Sequence, residues 1–211
     1  MGRFVIEGGR KLGGRMRVQG AKNSALPILA ATVAVGRPCV IHNCPSLTDI
    51  DSTLGILKAL GCEVHRSGDS VSVDSSRMTL TDIPDDLMRE MRSSIIFLGA
   101  LISRTGEARL CAPGGCDIGM RPIDLHLFAM EKLGVVLSEE YGHISCKCAR
   151  TKGAKITLSF PSVGATENII LASLRCTGTT TIINAAREPE VVDLARFLNS
   201  CGARISGAGE S

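Results

Sequence analysis

Three stretches of the chain are apolar on almost every face that a helix would present. They cover residues 25–35, 95–102 and 169–174, where apolar residues fill most positions, and the helices that contain them are predicted to end near Gly36, near Gly106 and at Gly178. Helices with this pattern lie in the interior of a protein, because no side of them is polar enough to face water. We therefore predict three central helices, and the rest of the chain divides into three units built around them.

The same order of elements follows each central helix. A short strand comes next, then an amphipathic helix closed by Gly61, Gly134 or Gly202, and then further strand sequence. A glycine directly after the last apolar position is a common helix end. Counting a strand that leads into it, each unit has the order β-α-β-α-β-β. The units cover about residues 20–75, 92–148 and 164–211. This pattern predicts an α/β fold with helices gathered inside and sheets outside, or a layered α/β arrangement.

Three local patterns predict element bounds and the extent of the protein. Residues 46–49 (SLTD) resemble a capping box with Asp in place of Glu, which predicts a helix start there. Residues 203–206 predict a strand that reaches a turn at residues 207–211 without a returning strand. Because such a strand leaves an open edge, we infer that the chain is a piece of a longer protein. Residues 1–19, with a predicted strand pair at 4–7 and 15–18, would join the missing part.

Composition limits the class of protein. Hydrophobic residues make up 44% of the 211 residues and aromatic residues only 3%, so the predicted core is aliphatic. The net charge is +3, and the lysine and arginine residues are scattered along the chain. This distribution argues against a nucleic-acid partner. No apolar run approaches the roughly 20 residues of a membrane-spanning helix, so we expect no membrane partner.

The nine cysteines lie mostly inside apolar stretches and form no CxxC pair. This placement favours reduced, buried thiols in a cytoplasmic protein over a disulfide framework. The histidines, His42, His65, His126 and His143, show no metal-ligand spacing, so we interpret them as structural. We therefore expect neither a metal site nor a cofactor.

Residues 110–126 combine the end of a strand, a glycine-rich loop and the start of a helix. Cys116 lies on the loop after Gly115, and Arg121 follows five residues later. A cationic neighbour favours the thiolate form, which makes Cys116 a candidate reactive thiol. An ordinary free cysteine in a surface loop explains the same residues equally well, so the local pattern leaves both interpretations open.

Three motifs together resemble one family. Residues 20–27 (GAKNSALP), the PGGC loop at 113–116 followed by RPIDLH at 121–126, and residues 162–168 (SVGATEN) are similar to the UDP-N-acetylglucosamine 1-carboxyvinyltransferases. The resemblance runs the whole length of this chain but covers only about the first half of the family's usual length. The related shikimate-pathway enolpyruvyl transferases lack the loop cysteine.

The resemblance implies a fold of two similar domains, each an inside-out α/β barrel of three units with helices inside and sheets outside. Residues 20–211 would form one of these domains. It also implies transfer of enolpyruvate from phosphoenolpyruvate to the 3-hydroxyl of UDP-N-acetylglucosamine, with release of phosphate. These two molecules are the expected partners. The family's general-base aspartate and a further substrate-binding arginine lie in the other half, so the missing C-terminal half is a third expected partner.

The resemblance also assigns roles to residues of this chain. Cys116 corresponds to the general acid that acts on the vinyl carbon of phosphoenolpyruvate. Lys22 and Arg121 correspond to cations that bind the anionic groups of that substrate. The other implied substrate-binding positions are Asn23, Arg92, Pro122, Ile123, Asp124, Leu125, Ser162, Val163 and Gly164. Some family members carry a lysine where this chain has Phe160, so one expected contact is absent here.

Simpler interpretations stay open for three of these residues. Lys22 also fits a solvated lysine at a helix end, Asn23 a helix cap, and Arg92 a surface ion-pair residue. Three functions remain in competition: the enolpyruvyl transferase, a non-catalytic half that holds a UDP-sugar or phosphate for a partner half, and the shikimate-pathway relative. Cys116 argues against the last of these.

Overall fold

The computed structural model describes residues 3–111, 113 and 123–210. The helices are α1 (Lys22–Val35), α2 (Thr48–Ala59), α3 (Asp85–Glu90), α4 (Phe97–Thr105), α5 (Asp124–Lys132), α6 (Val163–Ser173) and α7 (Pro189–Ser200), and a 3₁₀ helix (Arg92–Ile96) leads into α4. The strands are β1 (Cys39–Ile41), β2 (Glu63–Ser67), β3 (Ser70–Asp74), β4 (Glu107–Cys111), β5 (Val136–Glu140), β6 (His143–Lys147), β7 (Lys155–Thr157) and β8 (Thr181–Ile183). The order helix, strand, helix recurs three times, as α1-β1-α2, α4-β4-α5 and α6-β8-α7, as predicted.

The three predicted central helices, α1, α4 and α6, form the interior. Most of their side chains are buried, and α4 packs against both α1 and α6. Gly99 permits the close contact between α4 and α6, because a Cβ at this position would collide with the carbonyl oxygen of Asn168. Among the described residues, Phe97 is the only fully buried aromatic side chain, so the interior is stabilised mainly by burial of aliphatic surface.

A small sheet lies outside the helices in each unit. The first two sheets are antiparallel, with strand orders β1-β3-β2 and β4-β6-β5, and β7 pairs in parallel with β8. Val71 and Val73 on β3 are buried, whereas Val40 on β1 and Val136 on β5, in the second sheet, are largely exposed. The helices thus lie inside and the sheets outside, which confirms the predicted fold class.

The glycines predicted to close the second helix of each unit do so. Gly61, Gly134 and Gly202 have φ angles of 90°, 86° and 101° and follow the C-cap residues of α2, α5 and α7. Only glycine adopts this left-handed conformation at little cost, which is why the sequence pattern located these helix ends well.

The predicted strands near both ends of the chain are not formed. Residues 3–19 are exposed and contain no strand, so the predicted pair at 4–7 and 15–18 is wrong for this structure. Residues 203–206 form no strand either; the side chain of Asn199 instead bonds both backbone groups of Ile205, at 2.8 Å each. A strand needs a neighbour to satisfy its backbone, and the described residues supply none at these places. The assignment of residues 1–19 to a second domain stays a prediction.

The third unit therefore has an open groove. It has a volume of about 750 Å³ and lies between β8 and residues 202–210. In the first two units the strand at the equivalent place is β3 or β6, which lies in the middle of its sheet.

Two helix bounds also differ from the prediction. The capping box at residues 46–49 is wrong: α2 begins at Thr48 and no side chain caps it. The N–H of Ser46 donates to Oε1 of Gln19 at 2.9 Å, so Ser46 lies in the chain segment before the helix. Helix α6 ends at Ser173, before the predicted end at Gly178.

Candidate functional site

The N-terminus of α1 carries the first two predicted substrate-binding residues. Lys22 is the first residue of the helix, and no side chain caps the free backbone N–H groups there. Such a helix end attracts anions, because its N–H groups and its dipole both present positive charge. Lys22 Nζ lies 2.8 Å from Oδ2 of Asp49 on α2, and the lysine side chain is 45% exposed. Lys22 is thus held at the helix end by a carboxylate whose place an anionic ligand can take.

Helix α7 contacts the other side of this helix end. Asn23 Nδ2 donates to Glu190 Oε1 at 3.4 Å, and Ser24 Oγ donates to Asp193 Oδ2 at 2.8 Å. Asn23 is the second residue of α1 and caps nothing, so its interpretation as a helix cap is wrong. We call Lys22, Asn23, Asp49 and Glu190 the charged rim.

A second polar group lies in the interior. Asn168, on α6, is fully buried. Its Oδ1 accepts the N–H of Gly99 at 2.7 Å, and its Nδ2 donates to the carbonyl oxygen of Ile95 at 3.0 Å. These two backbone groups fix the orientation of the amide, because the reverse orientation would place donor against donor and acceptor against acceptor.

His126, on α5, completes this interior group. Asn168 Nδ2 lies 2.7 Å from His126 Nδ1. Because Asn168 presents a hydrogen at this point, Nδ1 accepts it, and the neutral ring carries its own proton on Nε2. Burial, followed by the positive charge of Arg92, lowers the pKa of His126 to about 4. We call Asn168 and His126, with the backbone of Ile95 and Gly99, the buried junction.

Glu167 lies beside the junction and near the rim. Its side chain is 6% exposed, and its Oε1 has no hydrogen-bond partner in the part of the chain that the structure describes. Burial, then the charges of Glu190 and Glu188, raise the pKa of Glu167 to about 8. The carboxyl group is therefore largely protonated at neutral pH, although it sits one residue from a fully bonded amide.

The remaining described site residues lie around the junction. Arg92 begins the 3₁₀ helix that contains Ile95, and its charge acts on His126. A Cβ on Gly164 would lie 3.2 Å from Cε1 of His126, so this glycine packs against the ring. The partly or largely exposed residues on either side are Ile123, Asp124, Leu125, Ser162, Val163 and Gly164. The structure thus places Gly164 against His126, the residue that follows 123–125, although the two segments are far apart in sequence.

Three predicted site residues, Cys116, Arg121 and Pro122, lie outside the described residues. The other eight cysteines, all among the described residues, form no disulfide. Burial raises the pKa of Cys62 to about 11 and that of Cys146 to about 12, which makes these thiols poor nucleophiles. Cys201 is exposed, so the expectation of a buried thiol is wrong there.

Two further observations concern residues 3–111, 113 and 123–210 only. No helix in these ranges is long and apolar enough to cross a membrane. No three side chains of the histidine, cysteine, aspartate and glutamate types are grouped there as metal ligands.

Sequence reasoning assigned no role to Glu167 or Asn168 and treated His126 as structural. The sequence did contain an indication of their role: Glu167 and Asn168 are strongly polar, yet they precede an apolar stretch in a helix predicted to be buried on all sides. A polar side chain in such a helix needs a buried partner. The partners of Asn168 lie 69 and 73 residues away along the chain, so the sequence pattern did not identify them.

The sequence resembles proteins of known name along its whole length. A UDP-N-acetylglucosamine 1-carboxyvinyltransferase 2 from Caldanaerobacter subterraneus is 56% identical over 99% of this chain. A UDP-N-acetylglucosamine 1-carboxyvinyltransferase from Nitratidesulfovibrio vulgaris is 49% identical over 100% of it. The chain spans about half the length of these curated relatives, 50% in both cases.

Solved structures agree with this relationship. The enolpyruvyl transferase NikO from Streptomyces tendae superposes with a TM-score of 0.84 at 29% identity, over 96% of this chain and 48% of NikO. EPSP synthase from Acinetobacter baumannii shares the fold, with a TM-score of 0.68 at 17% identity, over 92% of this chain and 45% of that protein. The sequence model of the EPSP synthase (3-phosphoshikimate 1-carboxyvinyltransferase) family matches residues 6–211. The chain therefore belongs to that family.

Proposed function

We propose that the protein to which this chain belongs transfers enolpyruvate from phosphoenolpyruvate to the 3-hydroxyl of UDP-N-acetylglucosamine, with release of phosphate. This reaction is the first committed step of peptidoglycan synthesis. The observation that carries the proposal is 56% identity, over 99% of the chain, to a relative named for this reaction. The charged rim supports it, because a lysine at an uncapped helix end suits a phosphate or carboxylate group.

The reaction consists of an addition and an elimination. In the addition, the 3-hydroxyl oxygen bonds to C2 of phosphoenolpyruvate, its proton passes to a base, and C3 receives a proton from an acid, which we assign to Cys116. In the elimination, the bond from C2 to the phosphate oxygen breaks, and the methyl group at C3 loses a proton as the double bond forms again. We assign Lys22 and Arg121 to the phosphate, where fixed positive charge stabilises the leaving group.

The proposed reaction needs groups that residues 1–211 do not supply. The family's general-base aspartate has no counterpart in this sequence, and the chain spans about half of its relatives' length. We therefore propose that a C-terminal half completes the site and that residues 1–211 alone are inactive. The cytoplasmic location predicted from the cysteine pattern belongs to this proposal.

A second candidate function is a non-catalytic half that binds a UDP-sugar or phosphate and needs a partner half. The half-length match favours keeping this candidate. The shikimate-pathway reaction is disfavoured, because Cys116 is present and both curated relatives above carry the UDP-sugar name.

Phosphate release tests the proposal in the full-length protein. We expect turnover with UDP-N-acetylglucosamine and none with shikimate 3-phosphate. Cys116→Ser should lower the rate by about 10²–10⁴-fold, the usual contribution of a positioned general acid. Lys147→Ala is the matched control, because Lys147 forms an exposed ion pair with Glu107 at 3.4 Å on β6 and β4; it should leave the rate unchanged. Steady turnover by residues 1–211 alone, abolished by Cys116→Ser, would contradict the assignment of the base to the other half.

Thiol labelling tests the role of Cys116 independently of turnover. We expect limited alkylation, including by the epoxide fosfomycin that resembles phosphoenolpyruvate, to modify Cys116 before the other thiols. Burial keeps the pKa of Cys62 and Cys146 high, so these should react slowly. Exposed Cys201 is the internal comparison, and mass spectrometry that finds Cys201 labelled first would count against a reactive Cys116.

A further inference from the structure

We propose that Asn168 and His126 are positioning residues that hold three substrate-binding segments, namely Arg92, residues 123–125 and residues 162–164, at one fixed spacing. The inference rests on the proposed function, because that function identifies these segments as substrate-binding. It assigns a purpose to an amide and an imidazole that the proposed chemistry does not use.

Each of the three segments lies on, or next to, an element that takes part in the buried junction. Arg92 begins the 3₁₀ helix whose residue Ile95 accepts from Asn168 Nδ2 at 3.0 Å. His126 directly follows residues 123–125 on α5 and accepts from the same nitrogen at 2.7 Å. Asn168 itself lies on α6, one helical turn after Gly164, and Gly164 packs against the His126 ring. A single amide thus connects the elements that carry all three segments.

The hydrogen bonds at the junction are directional, and every hydrogen-bonding group of the Asn168 amide has a partner. Asn168 uses both of its N–H hydrogens and its oxygen on three different elements: the 3₁₀ helix, α4 and α5. An apolar side chain of similar size would fill the same volume without fixing any angle between these elements. Because a buried amide is costly unless fully bonded, its presence in an apolar helix indicates a demand for geometry and not only for packing.

The spacing matters for a ligand that residues 123–125 and 162–164 hold together. If α5 shifts against α6, the two segments move relative to each other and bind the ligand less tightly. A misplacement of about 1 Å in a positioning group can cost on the order of 10²-fold in rate. We therefore expect the junction to influence binding without touching the ligand.

Hydrogen exchange on the full-length protein tests the positioning role in the absence of substrate. The reporters are the amides of Leu127 and Thr166, which donate to the carbonyl oxygens of Ile123 and Ser162 at 3.1 and 3.0 Å. His126→Asn keeps an acceptor oxygen where Nδ1 lies, whereas His126→Phe removes it. We expect exchange at both reporters to be about tenfold faster in His126→Phe and within about threefold of wild type in His126→Asn. The amides of β3, in the first unit, should be unchanged in both variants.

Two results would overturn the inference. Equal acceleration at Leu127, Thr166 and β3 would mean that His126 contributes only to global stability. Equal behaviour of the phenylalanine and asparagine variants, with or without acceleration, would mean that the acceptor at Nδ1 positions nothing.

Titration of the full-length protein with UDP-N-acetylglucosamine, monitored through amide chemical shifts, separates this inference from the proposed function. We expect His126→Phe to weaken binding by about tenfold, and His126→Asn to restore it to within about threefold of wild type. Wild-type affinity in the phenylalanine variant would overturn the positioning role. Failure of the full-length wild-type protein to bind the UDP-sugar would count against the proposed substrate, and the exchange comparison would still decide the positioning role.

Discussion

The charged rim and the buried junction are built in opposite ways, although Glu167 lies next to both. In the rim, the charges of Lys22 and Asp49 are partly exposed and paired with each other. In the junction, Asn168 is inaccessible to water and bonded through every polar atom of its side chain. The difference indicates a division of roles: the rim presents charge that a ligand can reach, and the junction holds the elements that frame it.

The two regions should also differ in their effect on stability. An exposed ion pair contributes about 0–1 kcal/mol, because water and salt screen it. An unsatisfied polar group in the interior costs about 1–3 kcal/mol, because no water replaces the lost partner. Substitutions in the charged rim and in the buried junction should therefore change the free energy of unfolding by different amounts, and measuring these changes tests the comparison.

The largest effect is expected at Asn168. Asn168→Leu keeps the branching at Cγ but leaves the Gly99 N–H, the Ile95 carbonyl oxygen and His126 Nδ1 without their partner. We expect the free energy of unfolding to fall by roughly 3–5 kcal/mol in urea denaturation. Asn199→Leu is the matched control, because Asn199 also bonds two backbone groups, at 2.8 Å each, but is exposed. Equal losses in the two variants would remove the distinction between buried and exposed amides.

An intermediate effect is expected at Glu167. Its folded-state pKa of about 8 exceeds the ordinary value of 4.5, so the folded protein keeps a proton that the unfolded chain has released between these pH values. The free energy of unfolding should therefore fall as the pH rises from 4.5 through 8. Glutamine imitates the protonated form, so Glu167→Gln should be more stable than wild type by about 2–4 kcal/mol at pH 9 and nearly equal at pH 4.5.

Urea unfolding between pH 4.5 and 9 measures this contribution. Glu63→Gln serves as the control, because Glu63 is exposed on β2 and its variant should follow the wild-type curve. Parallel curves for wild type and Glu167→Gln would show that Glu167 is ionised normally in the folded protein.

The smallest stability effect is expected in the rim. Asp49→Asn removes the partner of Lys22 at 2.8 Å and should change the free energy of unfolding by less than about 1 kcal/mol. Binding of inorganic phosphate at the end of α1 should become a few-fold tighter, on the order of 1 kcal/mol, since the competing carboxylate is gone. Phosphate titration at low salt measures this, with Glu107→Gln as the exposed ion-pair control on β4. A loss of several kcal/mol of stability, with no gain in phosphate binding, would make Asp49 a structural residue.

Much of the architecture was predictable because it depends on local patterns. The runs of apolar residues in α1, α4 and α6 located the interior, and the closing glycines located the ends of α2, α5 and α7. The errors occurred where an element depends on a partner. Residues 15–18 and 203–206 have strand-like sequences but lack a neighbouring strand in the described part of the chain. The predicted cap of α2 is wrong because Gln19, from a distant segment, accepts the N–H of Ser46 instead.

The candidate site divides in the same way. The roles of Lys22, Arg92 and Gly164 were predicted from short sequence motifs, and these roles stay predictions. The junction was not identified, because Asn168 bonds His126, 42 residues away, and backbone groups 69 and 73 residues away. The chain itself therefore determines which helices are buried, where they end and which residues are candidates for chemistry, since these depend on hydrophobic spacing and backbone freedom. Only the tertiary structure decides that His126 is neutral, that Glu167 is protonated and that Asp49 faces Lys22, because ionisation and pairing depend on burial and on neighbours that folding brings together.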